Sequence, residues 1–95
     1  SITGDQSWSL PNGNLHRLDG PAYICDYAKE WWQNGELHRL DGPAIEYSDG
    51  VVEWYKNDDY FGKGFEGFSL FWERLDETLR QNVNLHIWLA RLQNV

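Results

Sequence analysis

Two histidine–arginine pairs are the residues of this chain best equipped for chemistry. His16-Arg17 and His38-Arg39 each open the heptapeptide His-Arg-Leu-Asp-Gly-Pro-Ala, which occurs without a mismatch at His16–Ala22 and His38–Ala44. One use of these groups is metal binding, with His16, His38, Asp19 and Asp41 as ligands and His86 as a distant fifth. A cation stands beside each histidine, however, and the tight donor spacing of a zinc site is missing. A second use is anion recognition. Arg17 and Arg39, helped by His16 and His38, would grip a phosphate through paired N–H donors, and Trp31, Trp32 or Trp54 would stack a base.

The third use is structural, and we favour it. Asp-Gly supplies an Asx turn, and Gly-Pro keeps the residue before proline out of the helical region. Arg17 with Asp19, and Arg39 with Asp41, stand two apart, on one side of an extended segment. Ala22 and Ala44 are small, as a close contact between repeats requires. Residues repeated in register usually serve the stacking itself.

The other candidates are weaker. Gly62-Lys63-Gly64 lacks the spacing of a phosphate-binding loop. Cys25 is the only cysteine, so no disulfide can form within the chain, and no sequence neighbour would activate its thiolate. No Ser/His/Asp order, Cys/His pair or pair of carboxylates is legible. An enzyme is not expected, and neither is a cofactor.

The elements that position these residues follow from the 22-residue repeat. Asn12-Gly13 and Asn34-Gly35 precede the two heptads, and Asn-Gly between short β-rich runs signals a hairpin with a type I′ turn. Further turns are expected near Asp26–Ala28 and at Ser48-Asp49-Gly50. A third round decays, with Asn57-Asp58 in place of Asn-Gly and Phe61-Gly62-Lys63-Gly64 in place of the heptad. The first is loose as well, since Trp8 stands one position out of register with Trp31.

Phe68, Phe71, Trp72, Leu75 and Leu79 then fall at helical spacing, with Ser69 as the expected N-cap. Asn82-Val83-Asn84 interrupts, and a second helix is expected from Leu85 to about Gln93. The predicted fold is α+β in a single domain, residues 1–95. An antiparallel meander of about 2.5 hairpin units over 7–60 is followed by an amphipathic helical lid over 68–95, packed on its open edge or concave face. Six tryptophans, five tyrosines and four phenylalanines supply a core that a chain this short otherwise struggles to build.

Trp31–Ala44 and Glu53–Asn57 resemble MORN-like repeat proteins, closest to the His-Arg-x-Asp-Gly-Pro-Ala variant frequent in small bacteriophage proteins. The resemblance covers roughly residues 7–60. It implies a repeat scaffold and protein contact, and no catalytic residue carries over.

Charge narrows the partners. The chain carries 15 acidic and 8 basic residues, a formal net charge of −7. Residues 1–67 hold 12 of the acids against 5 bases, and residues 68–95 are balanced at 3 and 3. Such a surface repels nucleic-acid backbones and anionic membranes and attracts a basic groove on another protein. The acidic face expected to carry this contact comprises Glu30, Glu36, Glu46, Asp49, Glu53, Asp58 and Asp59. The sequence has no apolar run long enough to span a bilayer, and Ser1–Asp5 lacks the layout of a signal peptide. A cytoplasmic protein is therefore expected, in the host cell if phage-encoded, with self-association possible.

The functional expectation is a small acidic inhibitor of a host defence protein, anti-CRISPR-like, that occupies a basic or nucleic-acid-binding surface. The alternatives are a sponge for a small nucleotide signal and an antitoxin-like or structural repeat module.

Overall fold

The computed structural model describes residues 5–93. Ser1–Gly4 and the last two residues of the expected lid lie outside them. Eight short strands run before any helix: β1 (Gln6–Ser7), β2 (Tyr23–Cys25), β3 (Ala28–Glu30), β4 (Trp32–Gln33), β5 (Glu36–Leu37), β6 (Ile45–Tyr47), β7 (Val52–Lys56) and β8 (Asp59–Lys63). Six form one antiparallel sheet in the order β1-β2-β3-β6-β7-β8, while β4 and β5 make a separate hairpin. The fold is α+β, a meander followed by helices.

The turns explain the strand boundaries. Asn34 and Gly35 both have positive φ, 53° and 79°, as a type I′ turn requires. The decayed third round keeps the same geometry, with Asn57 at 50° and Asp58 at 68°. Asp58 replaces glycine there and gains a bond, since its Oδ1 accepts the Leu37 N–H at 2.7 Å. At the Ser48–Gly50 turn, Asp49 Oδ1 accepts the Val51 N–H at 3.0 Å.

Beneath the 22-residue heptad spacing runs a second period. Trp8, Trp31 and Trp54 are 23 residues apart and occupy equivalent places. The Trp8 N–H donates to Ala22 O at 2.8 Å and the Trp31 N–H to Ala44 O at 2.7 Å. Ala22 and Ala44 are fully buried at these contacts.

The helices close the C-terminal end of the array. α1 (Gly64–Glu73) packs on β7 and β8, and α3 (Val83–Gln93) packs on α1. Between them lies the single turn α2 (Glu77–Arg80). Val52, Trp54, Phe68, Phe71, Leu75, Leu85 and Trp88 form the core, with Leu40, Phe61, Trp72 and Leu79 packed around it. Trp54 lies edge-on to Phe68 at 5.3 Å and to Trp88 at 6.2 Å between ring centres. Such pairs add to the area that each ring removes from water.

Three expectations about the helices need correction. The first helix begins at Gly64 and not at 68, so Ser69 lies inside it and Lys63 stands at its N-cap without a side-chain cap. The absence of a side chain on Gly67 lets this early turn pack against the Gly62 backbone, ahead of the apolar stripe that periodicity detects. The first helix also stops at Glu73, and Asp76 caps α2 by accepting the Leu79 N–H at 2.9 Å. Finally, Asn82-Val83-Asn84 starts the last helix and does not interrupt it. Asn82 Oδ1 accepts the Asn84 N–H at 2.8 Å, and α3 begins at Val83, not Leu85.

Candidate protein-binding face

Strand register sorts the side chains onto two faces, because residues directly opposite in a sheet share a side. Gln6, Ile24, Lys29, Glu46 and Val52 share one side, and Trp54 continues it under α1. Ser7, Tyr23, Glu30, Ile45, Glu53 and Lys63 form a row across the other. Two residues along the strands from that row stand Cys25, Ala28, Tyr47 and Tyr55, and Tyr60 pairs with Tyr55.

This second face is rich in tyrosines and carboxylates. The Tyr47 hydroxyl donates to Glu53 Oε1 at 3.3 Å, and the Tyr55 and Tyr60 rings lie 5.0 Å apart. Trp32 Nε1–H donates to Glu30 Oε1 at 2.8 Å. The Tyr23 hydroxyl donates to Asp5 Oδ2 at 3.2 Å, which with partial burial pushes its pKa up to about 12. Burial first, then the Glu53 charge, raises the pKa of Tyr47, Tyr55 and Tyr60. Tyr27, exposed in the β2–β3 turn, is raised first by the charge of Cys25.

The acidic residues expected to form one surface do not all meet. Glu30 and Glu53 lie on the tyrosine face. Asp49 and Asp58 sit in turns, Asp59 opens β8, and Glu36 lies on β5. Glu46 leaves the set. It is on the opposite face, where Arg39 Nη1 donates to its Oε2 at 2.6 Å. The register alone decides this, since Glu46 follows Ile45, which shares the face of Glu30 and Glu53, by one residue.

All seven residues of the anion-binding reading have internal roles. Arg39 Nε donates to Asp41 Oδ1 at 2.8 Å and its Nη1 to Pro43 O at 3.1 Å, with the guanidinium stacked over Trp31. Arg17 repeats this with Asp19 at 3.0 Å, Pro21 O at 3.2 Å and the Trp8 ring. His16 Nδ1 accepts the Asn34 N–H at 3.1 Å and His38 Nδ1 the Asn57 N–H at 3.0 Å, each tying one heptad to the following turn. Trp32 serves Glu30, and Trp54 is fully buried, its Nε1–H on Gly64 O at 3.1 Å.

Heptad spacing alone misses that α1 replaces an arginine. Eight residues after Trp31 stands Arg39, and eight after Trp54 stands Gly62. With no guanidinium there, Gly67, Phe68 and Phe71 of α1 cover the Trp54 ring instead. The 23-residue tryptophan period is the signal that would have found it.

Comparison with protein-family models, curated proteins and solved structures finds no match for this chain. Among the described residues, no group of three or more His, Cys, Asp and Glu side chains could hold a metal ion. No helix among them is long and apolar enough to cross a membrane.

Proposed function

We propose that this protein is a small, acidic, non-enzymatic binding module whose tyrosine–carboxylate face occupies a basic, nucleic-acid-binding surface of another protein. The observation that carries this reading is the juxtaposition of Glu30 and Glu53 with Tyr23, Tyr47, Tyr55 and Tyr60 on one sheet face. Each glutamate has one oxygen engaged from within, Glu30 by Trp32 and Glu53 by Tyr47. The remaining acceptor capacity is free for arginine or lysine, and arginine pairs with carboxylates through two parallel bonds. Tyrosine rings add rigid contact area at little cost in conformational entropy. Asp49, Asp58 and Asp59 at the ends of neighbouring strands add the long-range field that steers a basic partner.

The resemblance of the heptad to the MORN-like variant frequent in small bacteriophage proteins extends the proposal to a protein acting in the cytoplasm on a host defence nuclease. The heptads themselves are scaffold in this reading.

Recovery of the tagged protein from bacterial lysate at low and high salt tests it, read by native mass spectrometry. The expected result is a stoichiometric partner that leaves at high salt and is no longer captured by the Glu30→Lys/Glu53→Lys variant. Glu77→Lys on α2 should leave capture intact. A complex that survives high salt, or one indifferent to the reversal at positions 30 and 53, overturns the proposal.

A further inference from the structure

The two identical heptads have unequal surroundings. α3 covers the second: Trp88 packs against Gly42, Asn84 Nδ2 donates to Asp41 Oδ2 at 3.3 Å, and Leu40 joins the core. Gly42 and Pro43 are buried there. At the first heptad Leu18 is 76% exposed. The Asp19 side chain is 86% exposed against 42% for Asp41. Both copies hold the same internal bonds, so the local backbone and the arginine pose agree. What differs is the helix on top and, beside Arg39, the second carboxylate supplied by Glu46.

We infer that Leu18, Asp19 and Gly20 form a docking seat for an amphipathic helix of a partner protein, one bearing an amide side chain four residues before a tryptophan, as α3 does with Asn84 and Trp88. The occupant follows from the second heptad, where the same Leu-Asp-Gly already holds such a helix. Spacing supports it as well. Successive repeats are two strands apart, about 10 Å. Packed helices also lie about 8–10 Å apart. A helix on the first heptad would therefore run beside α3, continuing the α3–heptad interface, with exposed Val83 and Ile87 of α3 available for lateral contact. Asp19 would accept the amide N–H that Asp41 accepts from Asn84. This seat is separate from the tyrosine face and does not depend on the function proposed above.

A synthetic peptide of residues 82–93, titrated into the isotopically labelled full-length protein and followed by backbone amide resonances, tests the seat. With peptide raised to about 2 mM, the range of one weak helical contact, saturable shifts are expected at Leu18–Ala22. They should vanish with the peptide carrying Trp88→Ala and in the protein variant Leu18→Asp, whose exposed position leaves the fold intact. Overturning results are no saturable shift at Leu18–Ala22, shifts confined to Gly42 and α3, or equal shifts with the alanine peptide. A peptide-independent dimer that buries Leu18 would also overturn it, by giving the seat to a second copy.

Discussion

The guanidinium carbon of Arg39 lies 3.8 Å from the ring centre of Trp31. In that position it also binds Asp41, Pro43 O and Glu46, so one side chain joins a strand, a turn and the heptad. Arg17 sits equivalently over Trp8, 3.9 Å away, but without a second carboxylate. Arg39→Ala is expected to destabilise the fold by about 2–4 kcal/mol, from the stacked cation and the charged hydrogen bonds it leaves unmade. Arg39→Lys should recover only a part, because an ammonium cannot reproduce the planar fork. Arg17→Ala should cost clearly less. Urea denaturation of the three variants gives the order.

His38 provides a pH dependence. Burial, helped by Lys56, holds its pKa below the ordinary 6.5, and its Nδ1 accepts the Asn57 N–H, which a proton on that atom would block. A base with a depressed pKa binds fewer protons folded than unfolded. Stability is therefore complete above pH 6.5 and falls as the pH drops below it. The urea midpoint should decline from pH 7.5 to pH 5.5, less steeply in His38→Gln. Equal slopes in the two proteins would remove His38 as the cause.

Gly67 tests how tightly α1 replaces the missing arginine. A methyl group at this position would overlap Gly62 O and approach Trp54 Cδ1 to 2.7 Å. Alanine is the better helix former by about 1 kcal/mol, so helix propensity alone predicts stabilisation. Backbone and a buried indole cannot yield, and overpacking of this kind costs about 1–3 kcal/mol or more. Gly67→Ala should lower the thermal midpoint, whereas Ser69→Ala two residues on should leave it nearly unchanged.

The tyrosine face has a spectroscopic signature. All five tyrosines have pKa values raised above 10.0, Tyr23 to about 12. An acid whose pKa rises on folding lends stability below its ordinary pKa and loses it as pH climbs. Phenolate absorbance should therefore rise later in the folded protein than in urea, and the fold should weaken above pH 10. Coincident titrations with and without urea would deny the burial of Tyr47 and Tyr55 beside Glu53.

Much of this architecture was legible. The Asn34-Gly35 turn, the hairpin strands and the Arg-Asp pairs stand where local signals put them. Asn12-Gly13 also turns the chain but is not type I′, since only Gly13 there has positive φ, and the stripe from Phe68 to Leu79 is divided between α1 and α2. The misses share a physical origin in contacts that hydrophobic periodicity does not register. Gly62 and Gly67 lie ahead of the apolar stripe and carry no periodic signal, yet their missing side chains are what lets α1 lie on Trp54. Periodicity runs straight through Asp76 and treats Asn82 as an interruption, although each side chain accepts a backbone N–H at the start of a helix. The acidic set was chosen by charge, and a strand period of two residues then turned Glu46 away from Glu30 and Glu53.

Because the residue eight or nine positions further on decides what shelters each tryptophan, the choice between arginine and glycine there acts as punctuation. Arginine lets the sheet carry on, while glycine admits the helix that ends it. The number of hairpins is thus not fixed by the cap. Duplicating residues 23–44 within the chain would yield a longer sheet bearing the same terminus, a ruler that grows by whole repeats.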